Sequence, residues 1–393
     1  MTRKYLLLTG ICFLLISCNN SDDYQEVPTD LYPNVTATFG SSLNLNNLAN
    51  YANQAIPTYI TKDNSVSNPI TDKGATLGRV LFYDKNLSSD NTISCSSCHV
   101  QANAFGDVTL ASIGVNGTTG RHAMRLINTR FSVESKFFWD ERAASLEIQS
   151  TMPIKNHGEM GFSGAAGDAD FSTLITKLSA IAYYRELFQF VYGSETITED
   201  KIQFALAQFI RSIQSFDSKY DTGRALAVND NQPFSNFTAQ ENLGKNLFLS
   251  PPVFDALSNR TGGGVGCAGC HAAPEFDIAP NSGNNGIIGN LGLPGIDITN
   301  TRAPSLRDLV KVNGTTNGPM MHTGIATSLQ VAIGHYGTIN IAAGNTNLDP
   351  KLRPNGIGQK LNLNATETDA LIAFLRTLSG TNVYTDPKWS SPF

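Results

Sequence analysis

Apolar residues recur at three- and four-residue steps along much of this chain, which is the spacing of one face of an α-helix. The clearest runs cover residues 171–192, 199–216 and 365–378. Ahead of the last run, Asn364 and Glu367 are spaced to form a capping box. The alternating patterns typical of strands are sparse, so we predict a mainly α-helical fold.

One helical pattern occurs twice, as LGRVLF at residues 77–82 and as LGKNLF at residues 243–248. Each copy precedes a five-residue C-x-x-C-H motif, so the chain contains an internal repeat. The stretch 228–236 is rich in Asn, Asp, Ser and Pro, a composition typical of a linker. We therefore predict two domains, at residues 69–227 and 228–393.

The two C-x-x-C-H motifs are attachment signals for covalently bound haem c. Two thiols one helical turn apart reach the two vinyl groups of a porphyrin, and the next residue is an imidazole that ligates the iron. Redox disulfides and a zinc site are the alternatives, but zinc ribbons usually place their cysteine pairs about 15–20 residues apart. The sequence thus predicts two cytochrome c-like domains, whose attachment and axial residues are Cys95, Cys98 and His99, and Cys267, Cys270 and His271.

The N-terminus has the pattern of a lipoprotein signal peptide over residues 1–17. A basic start precedes an apolar run of about 12 residues, shorter than the roughly 20 needed to span a bilayer. A lipobox-like sequence ends at Cys18, so we expect cleavage there and a lipidated cysteine. Polar residues 18–68 are predicted to be a flexible tether. This places the protein on the periplasmic side of the cell envelope, with the cell surface as the alternative.

The acidic balance of the chain, a formal net charge of −5, argues against nucleic acid as a partner.

The chain resembles the bacterial di-haem cytochrome c peroxidase family, which includes MauG-like enzymes, and the most specific matches lie between the two motifs. The resemblance covers roughly residues 73–380. The matching segments are FFWDERA at 137–143, then 145–149 and NHGEM at 156–160, with weaker matches at 304–307 and 321–324.

This resemblance implies roles for individual residues. The His99 haem corresponds to the peroxidatic haem, and the His271 haem to the one that passes electrons to it. Trp139 matches the tryptophan between the haems, although a lone Trp is otherwise more often simply core. Glu159 and Gln149 match the catalytic glutamate and its companion glutamine. Spacing alone describes Glu159 as a solvated helix residue, whereas a carboxylate in an apolar haem pocket is suited to act as a base.

The sequence departs from the family around the first haem. Val115 stands where many members carry a distal His, so we expect this haem to be five-coordinate and open. His122 stands near the position of an Asn calcium ligand, which argues against calcium, although Asn317 and Pro319 match the carbonyl ligands of that site. His157 replaces a common Pro, either as a structural residue or as a polar group near the pocket.

The sixth ligand of the second haem is predicted to be Tyr336, where typical peroxidases place a Met and MauG-like proteins a Tyr. Phenolate oxygen favours ferric iron over ferrous iron. His335, Met320 and Met321 are the alternatives, and the glycine-rich tract 281–295 is expected to form loops around this haem.

The favoured function is reduction of hydrogen peroxide to water, with electrons from a small c-type cytochrome or a cupredoxin. A MauG-like oxidase acting on a protein or organic substrate is the second interpretation. A non-enzymatic di-haem electron carrier is the third, and it requires both irons to be six-coordinate. The resemblance leaves a homodimer open.

Overall fold

The computed structural model describes residues 30–133, 136–278, 281–292 and 294–393, and its regular structure is mainly helical. The eleven α-helices of this part are α1 Pro33–Phe39, α2 Asp72–Tyr83, α3 Cys95–Cys98, α4 Leu146–Thr151, α5 Phe171–Ala180, α6 Ala182–Tyr192, α7 Glu199–Ser212, α8 Lys219–Leu226, α9 Ala239–Leu249, α10 Leu329–Gly337 and α11 Ala365–Arg376. Three antiparallel hairpins accompany them: β1 Ile113–Gly114 with β2 Gly117–Thr118, β3 Pro252–Phe254 with β4 Arg260–Gly263, and β5 His271–Ala272 with β6 Asp277–Ile278.

The predicted signal peptide and its lipidation site Cys18 lie outside the described residues. Within the described ranges, no helix is both long enough and apolar enough to cross a bilayer.

Two large apolar cores organise the molecule, and the chain passes from one to the other between Ile213 and Tyr220. The predicted domain boundary at residue 228 is therefore too late. The physical reason is α8, whose Tyr220 is buried and packs edge-on against Phe276 with ring centroids 4.8 Å apart. Helix α8 thus belongs to the second core, together with α9 and α11.

The predicted tether at 18–68 is wrong for its described part. Helix α1 buries Val35 and Phe39 in the first core, and the buried Tyr51 follows in the same cluster. The Asp72 carboxylate accepts the Tyr51 backbone N–H over 2.7 Å. A few apolar anchors in a polar segment bring it onto the core, because their burial offsets the cost of ordering the chain.

The C-terminal tail returns from the second core to the first. Trp389 is buried there, and its indole N–H donates to Ser212 Oγ over 3.2 Å. The Tyr83 hydroxyl donates to the Trp389 carbonyl oxygen over 2.6 Å. The stretch 228–393 is therefore not one continuous domain, since its tail completes the core of the other.

The repeated LG dipeptide marks the same helix crossing in both halves. A Cβ on Gly78 of α2 would lie 2.0 Å from the Ala205 carbonyl oxygen in α7, and one on Gly244 of α9 would lie 1.9 Å from that of Ala370 in α11. Only a residue without a side chain allows the two backbones to approach this closely. Each core is thus built on one close helix pair, which brings the following C-x-x-C-H motif to its edge.

Helix boundaries follow the sequence in part. The capping box of α11 is present, with Glu367 N–H donating to Asn364 Oδ1 over 2.9 Å, so this helix start is confirmed. The run 171–192 is instead two helices, because Ile181 adopts an extended conformation between α5 and α6. The Arg185 guanidinium donates to the Ser179 carbonyl oxygen at this break over 3.0 Å, which satisfies a group that the interrupted helix leaves free.

Candidate active site

The first C-x-x-C-H motif forms the single turn α3, with both cysteines on it and His99 directly after. Ser94 and Ser97 close a capping box at its start. His99 Nδ1 lies 3.1 Å from the Phe105 carbonyl oxygen. This contact holds the imidazole with its proton on Nδ1 and leaves Nε2 as the atom available to a metal.

A cavity of about 70 Å³ beside this turn collects the residues that the family resemblance singled out. Gln149 from α4 and Glu159 line it together with both thiol-bearing residues and His99. Burial raises the pKa of the Glu159 carboxyl group, an effect that Arg142 partly opposes. The arrangement places a proton acceptor and an amide donor against the space beside the ligating imidazole, as general-base chemistry requires.

A small hairpin, formed by β1 and β2, lies directly over the Glu159 backbone. The Val115 N–H donates to the Glu159 carbonyl oxygen over 2.9 Å. A Cβ on Gly114 would lie 2.1 Å from the Gly158 carbonyl oxygen, so the hairpin approaches this segment only because residue 114 is glycine. Sequence spacing could not reveal that this hairpin holds Glu159 in place.

Among the described residues, His99 provides the only imidazole that lines the first cavity. Ile113 and Gly114 line it, whereas Val115 does not and has no ligating atom to offer. His122 instead lines a larger cavity beside the second C-x-x-C-H motif. Its Nδ1 lies 2.9 Å from the Thr109 carbonyl oxygen. The thioether residue Met160 also lines the first cavity, a position that sequence reasoning did not single out.

His157 lies away from both cavities. Its Nδ1 is 2.9 Å from the Asp168 carboxylate, and its side chain is half exposed. Of the two interpretations left open for His157, this position favours the structural one.

The second C-x-x-C-H motif opens on the 3₁₀ turn Cys267–Gly269, and His271 begins β5. It borders a cavity of about 550 Å³, large enough for a cofactor. Burial lowers the pKa of His271 to about 4, so its imidazole is neutral, the form that binds a metal.

Three of the four candidate sixth ligands line this second cavity, namely Tyr336, Met320 and Met321. His335 does not, because its Nε2 is held 2.8 Å from the Asn285 carbonyl oxygen. The Asn285 side-chain amide donates to Tyr336 Oη over 3.4 Å. Burial raises the pKa of the Tyr336 phenol. No motif pointed to Asn285, which lies in the predicted glycine-rich loop.

Trp139 is buried at the wall of the second cavity. Its indole N–H donates to the His122 carbonyl oxygen over 2.8 Å, and its ring packs edge-on against that of His322 with centroids 6.2 Å apart. Its own carbonyl oxygen accepts the Thr301 N–H over 2.9 Å. Trp139 thus contacts residues of both halves of the molecule.

Two positions matched to the calcium site of the family, His122 and Asn317, make direct protein contacts, although the buried Asn317 Oδ1 has no hydrogen-bond partner. The Asn317 amide donates to the Asp308 carbonyl oxygen and to the Tyr384 hydroxyl, both over 2.8 Å. The His122 N–H donates directly to the His322 carbonyl oxygen over 2.7 Å. In the described ranges, no cluster of three or more His, Cys, Asp or Glu residues is placed to hold a metal ion.

The donor groups present fit two haems. Each cavity combines two thiols with a half-buried imidazole. The second cavity also contains Arg125, whose buried Nε has no partner and whose pKa is lowered by burial to about 10. A buried guanidinium with an unused donor suits a propionate group. The thiols, His99 and His271 would hold the haems, and Arg125 would neutralise a carboxylate of the second one.

Known proteins resemble this chain over most of its length. Residues 72–227 match the family model described as di-haem cytochrome c peroxidase. The methylamine utilization protein MauG of Methylophilus methylotrophus is 28% identical over 330 residues, which cover 80% of this chain and 85% of that protein. The cytochrome c551 peroxidase of Nitrosomonas europaea is 27% identical over 321 residues, covering 78% of this chain and 80% of that protein.

A solved structure of a MauG-like protein associated with microbial copper homeostasis superposes on this chain with a TM-score of 0.67. The two are 29% identical, and the match covers 86% of this chain and 99% of that one. The arrangement of both halves therefore has a close structural counterpart.

Proposed function

Because this chain belongs to the di-haem cytochrome c peroxidase family, we propose that it reduces hydrogen peroxide to water at the His99 haem. The observation that carries this proposal is the shared cavity in which Glu159 and Gln149 accompany Cys95, Cys98 and His99. A peroxidase needs a base beside an accessible iron; this cavity supplies the base, and among the described residues that line it only His99 has an imidazole.

The chain's own groups move the protons. The haem, when bound, supplies a coordination position for peroxide and the electrons for cleavage of its O–O bond. The Glu159 carboxylate takes the proton of one peroxide oxygen and delivers it to the other, which leaves as water. The Gln149 amide orients the peroxide by hydrogen bonding. Two electrons and two protons convert one peroxide into two waters, and two molecules of a one-electron donor supply the electrons.

Cys267, Cys270 and His271 would hold the second haem, which would supply an electron-transfer centre, and the region of Trp139 would connect it to the first half. Two contacts of Trp139 support this path, because its ring packs against His322 and its carbonyl oxygen accepts the Thr301 N–H, and both partners belong to the second half. The proposed donor is a small c-type cytochrome or a cupredoxin, since both carry one electron. Both work in the periplasm, where the lipobox ending at Cys18 would anchor this protein; the cell surface is the alternative location.

A MauG-like oxidase is the second candidate function, and Tyr336 favours it. An anionic oxygen ligand stabilises oxidised iron, so a haem bearing it is suited to store oxidising equivalents. Tyr336 lines the second cavity, and relatives named MauG match most of this chain.

Steady-state turnover of the di-haem protein with hydrogen peroxide and a reduced small cytochrome tests the proposed function. Rapid oxidation of the donor, with two donors consumed per peroxide, supports the peroxidase. A long-lived oxidised state without donor turnover supports the MauG-like oxidase and contradicts the peroxidase. A ferric spectrum containing no high-spin haem supports the electron carrier and contradicts both enzymes.

A further inference from the structure

The geometry points to an exchange of axial ligands at the second haem: Tyr336 ligates the ferric iron, and Met321 replaces it when the iron is reduced. This inference rests on the proposed haem at His271. It assigns Met321 a role alongside Tyr336 rather than as its alternative.

Tyr336 and Met321 present their donor atoms at the same place in the second cavity. Tyr336 comes from α10 and Met321 from the loop before it, and both line the cavity that contains Cys267, Cys270 and His271. The Tyr336 Oη and the Met321 Sδ lie 4.0 Å apart. Rotation about side-chain bonds moves such atoms by several ångströms, so either donor can serve one coordination position.

Asn285 connects the two donors. Its side-chain amide nitrogen lies 3.2 Å from Met321 Sδ and 3.4 Å from Tyr336 Oη. Two contacts hold Asn285 in place. Its side-chain Oδ1 accepts the Ile287 N–H over 3.1 Å, and its backbone carbonyl oxygen lies 2.8 Å from His335 Nε2. Asn285 is therefore a positioning residue, able to hydrogen-bond whichever donor is released.

The backbone of Met321 supports a specific role for it. Met321 has φ of +70°, in the left-handed region that residues with a side chain rarely adopt. The Gly324 N–H donates to the Met321 carbonyl oxygen over 3.0 Å and closes the turn that holds it there. The preceding Met320 is instead a buried member of the second apolar core. Packing alone would not require backbone strain, and of the two adjacent methionines the strain falls on the second, Met321, which contacts Tyr336.

The chemistry of the two donors gives the direction of exchange. An anionic oxygen favours ferric iron, and a soft thioether favours ferrous iron. On reduction the iron takes one electron from the donor protein, which is oxidised. The iron–oxygen bond breaks, the released oxygen takes up one proton from solvent, and the sulfur lone pair forms the new bond. The second iron is then six-coordinate in both oxidation states, which reserves peroxide for the first cavity.

Carbon monoxide counts the open ferrous irons in the holoprotein and tests the exchange without peroxide. We expect one carbon monoxide per reduced wild-type protein, bound at the first haem, and two per Met321→Leu protein. Met320→Leu is the matched control and should bind one. Two per wild-type protein, or one per Met321→Leu protein, would overturn the exchange.

Two further measurements keep the test independent of folding and of catalysis. Tyr336→Phe should give the ferric protein the red charge-transfer band of a thioether-ligated haem. If this band is absent, Met321 cannot reach the iron.

In wild-type voltammetry, the oxidative and reductive peaks of the second haem should separate as the scan rate rises, because ligand exchange lags electron transfer. Coincident peaks at all scan rates would contradict the ligand exchange. A failure of peroxide turnover would overturn the proposed function and leave these results unaffected.

Discussion

The Val115 N–H donates to the Glu159 carbonyl oxygen, which fixes the segment bearing the proposed base to a hairpin that carries no iron ligand at residue 115. Residue 115, where the family resemblance led us to look for a distal His, thus supports the Glu159 segment through its backbone. One residue therefore has two effects: the Val115 side chain offers no iron ligand, and the Val115 backbone N–H holds the segment that carries Glu159.

Glu159→Gln should slow the reaction with peroxide by roughly a hundredfold or more, because loss of a general base typically costs that much. Haem content and the ferric spectrum should remain unchanged. Stopped-flow mixing with peroxide measures the rate constant. His157→Gln is the matched control, since His157 lies outside the cavity and pairs with Asp168 at the surface. Wild-type rates in Glu159→Gln would remove Glu159 from the mechanism.

The rate constant for the reaction with peroxide should decrease as the pH is lowered through the pKa of Glu159, and this pKa should be higher than that of an ordinary glutamate. Burial raises the pKa of Glu159, and a base acts only when deprotonated, so activity is complete above this pKa and is lost as the pH drops through it. The pH profile of single-turnover rates measures it. Glu159→Gln should lack this acidic limb, and its persistence there would assign the titration to another group.

Trp139→Ala should slow electron transfer from the second haem while the first still reacts with peroxide. The Trp139 ring contacts His322 of the second half while its indole N–H is hydrogen-bonded to His122 of the first, and the substitution removes both contacts. Trp139→Phe is the matched control: it keeps an aromatic ring in the cavity wall and loses the indole N–H. Flash-induced or stopped-flow electron transfer measures the step, and an unchanged rate in Trp139→Ala would reduce the residue to packing.

Gly78→Ala and Gly244→Ala should each destabilise the protein by about 1–3 kcal/mol, as overpacking of a close contact does. The new methyl groups would lie 2.0 and 1.9 Å from facing carbonyl oxygens. Gly334→Ala in α10 is the control, because no atom lies within 4 Å of its added Cβ, and alanine favours a helix over glycine. Denaturant unfolding of the holoprotein measures the differences. Equal stability of all three variants would contradict the account of the helix crossings.

The sequence predicted best what depends on local spacing or on a matched motif. The capping box at Asn364 follows from residues three apart, and the residues named by the motif match, Gln149 and Glu159, line one cavity with the first C-x-x-C-H motif. The doubled LG pattern anticipated two similar halves, although not that each glycine faces a carbonyl oxygen of a later helix.

Features that depend on contacts between distant segments were missed. Asn285 lies in a glycine-rich loop with no motif of its own, and it gains its role from Met321 and Tyr336, which are 36 and 51 residues away. The return of Trp389 to the first core and the burial of Val35 were likewise invisible, because single apolar residues in polar segments carry no periodic signal.

The central claim is an accessible first iron beside Glu159, and the most direct test is the spin state of the fully oxidised protein followed by addition of one equivalent of peroxide. Electron paramagnetic resonance should show one high-spin and one low-spin ferric haem, and peroxide should react with the high-spin haem before any reduction. Two low-spin haems that ignore peroxide until the protein is half reduced would contradict the account, since another side chain would then occupy the first iron.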